Sequence, residues 1–214
     1  MGGVDMHMNW REAERDFSDE VTGMTTLPRM FEASAERNAN RPAQRYKGGI
    51  YDRSLTETVL AAAPDDEFRS IPYAEMREIV HHLAAGFRDL GVEGGTRVGI
   101  FADTRMEWAQ SDFALLAAGG VVTTIYEGSS PDQVKYLLDD PGATGVVVES
   151  QDHLERVLRV SDDLDVEFAV SMDELDPEYR EEDGVYTLAE VYERGADAFD
   201  ADAYESWLDE RELS

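Results

Sequence analysis

The chain has 214 residues, 42% of them apolar, enough to build a core for one or two domains. Its 47 Asp and Glu against 19 Lys and Arg give a net charge of −28, and Lys47 and Lys135 are the only lysines. This balance argues against nucleic-acid binding, which needs clustered cations to neutralise phosphates, and the lack of cysteine excludes disulfides, thiolate metal sites and a cysteine nucleophile.

Residues Met1 to Thr25 read as a polar lead-in with two apolar anchors, Trp10 and Phe17. Met1 to Glu20 has no apolar signal-peptide core, and no stretch approaches the ~18 apolar residues of a membrane span. The expected location is therefore the cytoplasm. A helix is predicted from Thr26-Leu27-Pro28, with Thr25 or Thr26 as cap and Pro28 in the first turn, where a missing N–H costs nothing. Leu27, Met30, Phe31 and Ala35 would form its apolar face, and Asn38 to Pro42 would end it. Ala43–Lys47 and Ile50–Arg53, joined by Gly48-Gly49, read as a β-hairpin. Leu55 to Asp66 reads as a loop and Glu67 to Ile71 as a strand.

The strongest helix is expected from Tyr73 to Leu90. Tyr73, Met76, Val80, Leu83, Phe87 and Leu90 recur at steps of 3, 4, 3, 4 and 3, one buried stripe. Gly91 would stop it in a left-handed conformation. Strands follow at Arg97–Phe101, Val121–Tyr126, Thr144–Val148 and Val166–Met172, with helices at Met106–Ala118, after Ser130, and at Asp152–Val160. Ser130-Pro131-Asp132-Gln133 carries a capping box, and Val134, Leu137 and Leu138 would face inward. Strand centres near Ile100, Thr124, Val148 and Val170 lie 24, 24 and 22 residues apart. Strands that alternate with helices imply a parallel sheet with helices on its faces. Asp173 to Asp183 reads as an acidic surface excursion, Val185-Tyr186 as a short last strand, and Thr187–Gly195 and Ala201–Glu212 as helices.

Candidate chemistry is sparse. Of the cluster Gly91, Gly94, Gly95 and Gly99, the first three precede the strand that holds the fourth, whereas a dinucleotide loop follows a strand, so the cluster reads as a helix stop and a turn. Glu127-Gly128-Ser129-Ser130 leads into a helix amino terminus that can hold an anion, but Ser130 as a cap satisfies the same N–H groups. His81 and His82 point about 100° apart on a helix and cannot chelate one metal. Together with His7 and His153 they are expected to be solvated. Glu181-Glu182-Asp183 lacks calcium-loop spacing. No catalytic, cofactor-binding or metal-binding residue is assigned. Disorder is disfavoured by 9% aromatics and by the apolar patterning. The acidic residues run along the whole length, as in the surface shell of a salt-adapted protein. At molar salt the Debye length is about 3 Å and crowded carboxylates repel little. An acidic face for a basic partner is the alternative.

Two stretches carry a family resemblance. The first runs through Ile71-Pro72-Tyr73-Ala74-Glu75-Met76, Leu83-Ala84-Ala85-Gly86-Phe87 and Leu90-Gly91-Val92-Glu93-Gly94-Gly95-Thr96-Arg97-Val98-Gly99-Ile100. The second is Glu107-Trp108, Leu115 through Tyr126, Ser129-Ser130-Pro131-Asp132-Gln133 and Tyr136-Leu137-Leu138. Together they resemble the early motifs of adenylate-forming (AMP-binding) enzymes. Thr96 and Met76 stand where that family usually has Asp and Leu. Glu107-Trp108, Tyr126 before the Ser-Ser-Pro turn, and Thr25-Thr26-Leu27-Pro28-Arg29-Met30-Phe31 are similar to its long-chain fatty acyl-CoA synthetase branch; with the acidic composition, a halophilic archaeon is the expected source. The resemblance implies an α/β fold with a mainly parallel sheet and flanking helices, an incomplete part of that family's large amino-terminal domain. Residues 1–25 would be the lead-in and 26–214 the partial domain, its α/β core at about 73–172. The family's Ser/Thr/Gly-rich phosphate loop ending in Pro-Lys-Gly has no counterpart; Lys47-Gly48 is the only Lys-Gly and sits too early. The family's adenine-pocket motif, acidic ribose contact and carboxy-terminal catalytic lysine also lack counterparts. Trp207-Leu208-Asp209-Glu210-Arg211 is similar to the segment just before that loop, so the chain is expected to stop short of it. For the full-length family the resemblance implies ATP, Mg²⁺ and coenzyme A, a fatty acid substrate, and the remainder of a synthetase chain as partner; this piece alone is expected to be inactive. Homo-oligomerisation stays open, as does the alternative of a free-standing, non-catalytic interaction or regulatory module.

Overall fold

A computed structural model describes residues 26–56 and 58–209. The lead-in with Trp10 and Phe17, and His7, lie outside these residues. Helix α1 (Leu27–Arg37) starts where Thr26 accepts a hydrogen bond from the Arg29 N–H, with Pro28 in the first turn. Its expected apolar face divides. Phe31 and Ala35 are buried, but Leu27 and Met30 are 57% and 40% exposed and line an open apolar cavity of about 400 Å³ with Met76 and Phe113.

The hairpin expected at 43–53 does not form. Strand β1 (Pro42–Lys47) pairs instead with β2 (Phe68–Pro72), antiparallel, from Pro42 opposite Pro72 to Lys47 opposite Phe68. The reason lies in Arg53, which turns inward and is only 7% exposed, while Ile50 is 55% exposed. A surface hairpin would have needed the reverse. The described residues of the 55–66 loop form no regular strand or helix, yet Leu55 and Leu60 are buried.

Helix α2 (Tyr73–Asp89) buries Met76, Val80, Leu83 and Phe87 of the predicted stripe, together with Ile79, while Tyr73 and Leu90 at its ends are only partly buried. Gly91 follows at φ 92°, a conformation that costs glycine least. The central sheet is wholly parallel, in the order β4–β3–β5–β6–β7. Its strands are β3 (Arg97–Phe101), β4 (Val121–Ile125), β5 (Gly145–Val148), β6 (Phe168–Ser171) and β7 (Val185–Thr187). Every residue of β5 and β6 is buried, as expected of parallel strands covered on both faces. The intervening helices are α3 (Met106–Ala118), α4 (Pro131–Asp139), α5 (Gln151–Leu158) and the short α6 (Pro177–Arg180), followed by α7 (Leu188–Ala198) and α8 (Ala201–Asp209).

Side-chain alternation along the strands divides the core. Val98, Ile100, Val147 and Val170 join Val80, Leu83, Phe87, Leu115 and Leu188 on one face. Phe101, Val146 and Val148 join Val134, Leu138, Leu154 and Val157 on the other. Leu137, expected inside, is only partly buried against that second cluster. Helix α7 is fastened by a capping box, with Thr187 and Glu190 exchanging hydrogen bonds across its first turn. It lies close against α2 at two glycines. A Cβ on Gly195 would stand 1.7 Å from the His82 carbonyl oxygen, and one on Gly86 2.0 Å from that of Val191. Gly195→Ala should therefore lower stability by about 1–3 kcal/mol, because backbone must move to admit a methyl group. Gly94→Ala, with nothing within 4 Å of its Cβ, is the control. A urea midpoint that falls for the first substitution and not for the second is the expected result.

Candidate functional site

In an open parallel sheet the loops leaving the carboxyl ends of the strands gather at one edge, and a crevice opens where the strand order reverses. Here the reversal falls at β3 and β5. The chain leaves β3 through Ala102–Arg105, leaves β5 through Glu149-Ser150, and leaves β6 through Met172-Asp173. The loop at Tyr51–Arg53 closes over them through a bridge between Arg53 and Asp173.

These loops meet in a buried ionic cluster. Arg105 donates from Nε to Glu107 Oε2 at 2.8 Å and from Nη2 to Asp173 Oδ1 at 2.7 Å. Its third nitrogen donates to the Glu149 carbonyl at 3.4 Å. Arg53 Nε lies 2.7 Å from Glu107 Oε1, an ion pair in which the N–H is not aligned as a hydrogen bond. The Tyr51 ring covers both guanidinium groups, 4.0 Å from Arg105 Cζ and 5.0 Å from Arg53 Cζ. The Glu107 and Arg105 side chains are 0% exposed.

Burial pulls the Arg105 pKa down, but the hydrogen bonds and charges of Glu107 and Asp173 outweigh it, so the net shift is upward and Arg105 stays charged. The Asp173 carboxyl also goes up. Burial raises it more than Arg105 lowers it, and Glu107 and Glu149 add repulsion. Arg105 has both carboxylates within hydrogen-bonding distance, and the fully buried Glu107 is its anchor. Asp173, expected in a surface excursion, is thus drawn inward, its side chain 13% exposed.

What the cluster can do chemically follows from its saturation. Both guanidinium groups already face carboxylates. The groups left facing outward are Asp103, which is exposed, and Glu149, which accepts from the Asp103 N–H at 2.7 Å. Carboxylates at the mouth repel phosphates. No three of the His, Cys, Asp and Glu side chains among the described residues are placed to hold a metal ion. The residues described at this edge therefore do not fit the phosphates of ATP. The cluster ties four loops together at the place where a partner or ligand would approach the sheet.

The other sequence candidates separate. Ser130 caps α4 as the capping box implies, with the Gln133 N–H donating to its Oγ at 3.4 Å and its own N–H donating to Gln133 Oε1 at 2.9 Å. Gly91 and Gly95 form the turn before β3. Glu181, Glu182 and Asp183 are exposed. The histidines overturn the expectation of solvation. His153 is 7% exposed, bonded to Ser150 and edge-on to Phe101 at 4.6 Å, and burial lowers its pKa. His81 lies 2.9 Å from Glu32 Oε1 and stacks on Phe199. His82 packs edge-on to Tyr192 and Phe199, and burial lowers its pKa. Glu32, Phe199 and Tyr192 around His81 and His82, and Phe101 beside His153, come from segments far away in sequence, whereas Ser150 is local to His153. The same holds for Arg53, which reaches Glu107 from far along the chain, while Arg105 stands only two residues before Glu107.

Residues 31–203 match the family described as AMP-binding enzyme. The chain belongs to this family. Among curated AMP-binding relatives, the long-chain-fatty-acid–CoA ligase FadD15 of Mycobacterium bovis is 40% identical over 97 residues, 45% of this chain and 16% of the relative. The long-chain-fatty-acid–CoA ligase ACSBG1 of Rattus norvegicus is 35% identical over 130 residues, 61% of this chain and 18% of the relative. The chain thus spans less than a fifth of the length of these relatives. Among solved structures, a long-chain-fatty-acid-CoA ligase from Archaeoglobus fulgidus superposes with a TM-score of 0.66 at 20% identity, covering 83% of this chain and 31% of that one. The A-PCP didomain of a carboxylic acid reductase from Segniliparus rugosus, in complex with AMP, gives a TM-score of 0.67 at 19% identity, over 85% of this chain and 28% of that one. At such identities the likeness establishes the fold: the α/β sheet with flanking helices of the amino-terminal domain of adenylate-forming enzymes.

Proposed function

We propose that this chain is the amino-terminal part of an ATP-dependent long-chain fatty acid–CoA ligase, which forms an acyl adenylate and then the thioester, and that it is inactive alone. The observation that carries this reading is the family match over residues 31–203 together with relatives that are long-chain-fatty-acid–CoA ligases. ATP, Mg²⁺ and coenzyme A would then be held by residues outside the present sequence, since the phosphate loop has no counterpart here. The role of this part is scaffolding: a parallel sheet, loops fixed by Arg105 and Glu107, and surface against which the rest of the synthetase packs. The test is acid-dependent exchange between ATP and pyrophosphate, expected to be absent from this chain and present in a longer chain read through the same reading frame.

The composition supports a second proposal, that the acidic shell is an adaptation to molar salt in the cytoplasm of a halophilic archaeon. With a net charge of −28, carboxylate repulsion opposes compaction at low ionic strength. The melting temperature should rise steadily as KCl increases from about 0.1 M into the molar range, over which the Debye length shrinks from about 10 Å to about 3 Å. A melting temperature that is flat or falls over this range would contradict the shell.

A further inference from the structure

We propose that α8 is a releasable latch: a helix that docks and undocks as a unit while the parallel sheet stays folded. The inference does not depend on the proposed activity. It rests on how α8 is held. The helix has nine residues, Ala201–Asp209, and buries only Tyr204 and Leu208. A helix this short does not persist in water by itself, so α8 is helical because it is docked.

Its polar contacts run outward to α1 and α2. The Tyr204 hydroxyl donates to Glu32 Oε1 at 2.8 Å. Glu32 is the hub, since it also accepts from Arg77 Nε at 2.5 Å and meets His81 at 2.9 Å. Arg29 donates to Glu205 Oε2 at 2.6 Å and also to Asp209. The Arg88 guanidinium lies 4.8 Å from the Trp207 ring centre. Glu205 and Asp209 are 53% and 76% exposed, so their ion pairs with Arg29 hold weakly. The docking therefore depends mainly on the buried Tyr204 and Leu208, the partly buried Trp207 and one hydrogen bond to Glu32. The neighbouring helix α7 contrasts with it. Gly86 and Gly195 bring α7 into backbone contact with α2, and Thr187 and Glu190 cap it. The boundary between locked and releasable chain falls at Phe199-Asp200, where the backbone leaves the helical conformation.

Elements with few buried contacts open locally at lower free energy than the core, and amide hydrogen exchange reads each opening separately. In the 214-residue chain in molar KCl, amides of 201–209 should exchange at least about tenfold faster than those of β5. Tyr204→Phe keeps the ring and removes only the bond to Glu32. It should speed exchange in 201–209 by about a further tenfold and leave β5 unchanged. Arg29→Ala should act in the same direction and more weakly. An α8 that exchanges no faster than β5, or that accelerates only in step with β5 in both variants, would overturn the proposal.

Discussion

Glu107→Ala should be the most destabilising single substitution among the ionic residues of this fold, with an expected loss of about 3–5 kcal/mol. Glu107 is fully buried and faces two guanidinium groups, hydrogen-bonded to Arg105 and ion-paired with Arg53. Its removal leaves two buried cations with one remaining carboxylate, Asp173, within reach of Arg105. The cost is mainly that of desolvated charge without a counter-charge, not the lost attraction itself. Glu205→Ala removes a carboxylate from an exposed pair with Arg29 and should cost under about 1 kcal/mol. Urea unfolding in molar KCl, followed by circular dichroism, separates the two. Equal midpoints would mean that the cluster at the carboxyl edge is not what ties the loops together.

Much of this architecture can be read from local pattern. Strand centres 24, 24 and 22 residues apart, each separated by a helical segment, specify four of the five strands of the parallel sheet. Helix α2 is visible because its apolar residues keep a regular step, and α4 because Ser130 and Gln133 form a capping box by themselves. These signals are local: both partners of each interaction lie within a few residues.

The features hidden from the sequence depend on partners far along the chain. Gly48-Gly49 suggests a hairpin, yet β1 takes its partner from Phe68–Pro72, because Arg53 is drawn to Glu107 and carries the intervening segment inward. Val185 and Tyr186 read as a marginal strand, and they become the sheet's edge only because β6 lies beside them. His81 looks solvated because Glu32, Phe199 and Tyr204 arrive from elsewhere, and His153 because Phe101 does, although Ser150 lies only three residues before it. The candidate site follows the same rule in part: Arg53 and Asp173 come from far along the chain, while Arg105 stands two residues before Glu107. Glu107-Trp108 stands out as a motif, but the sequence offers no sign that Glu107 neutralises buried arginines instead of meeting substrate. A motif residue with its charges already paired inside the fold serves the scaffold.

The claim that this chain carries the scaffold of a synthetase without its chemistry is tested most directly by acid-dependent exchange between ATP and pyrophosphate. Adenylation develops charge on phosphates that must be met by preorganised donors, and the loss of one such donor typically costs about 2.7–4 kcal/mol. Here no phosphate loop is present, and neither Lys47 nor Lys135 lies in a glycine-rich loop before a helix. Lys47 pairs with Asp66 and Lys135 with Asp163, so neither is held toward a common site. The assay uses a panel of fatty acids with Mg²⁺ in molar KCl, and compares the 214-residue chain with the longer chain from the same reading frame. The expected result is exchange by the longer chain and none above the no-enzyme control by the shorter one. Silence from both would favour a free-standing module that kept the fold and lost the reaction. Exchange by the 214-residue chain alone would contradict the account and require an active site within these residues.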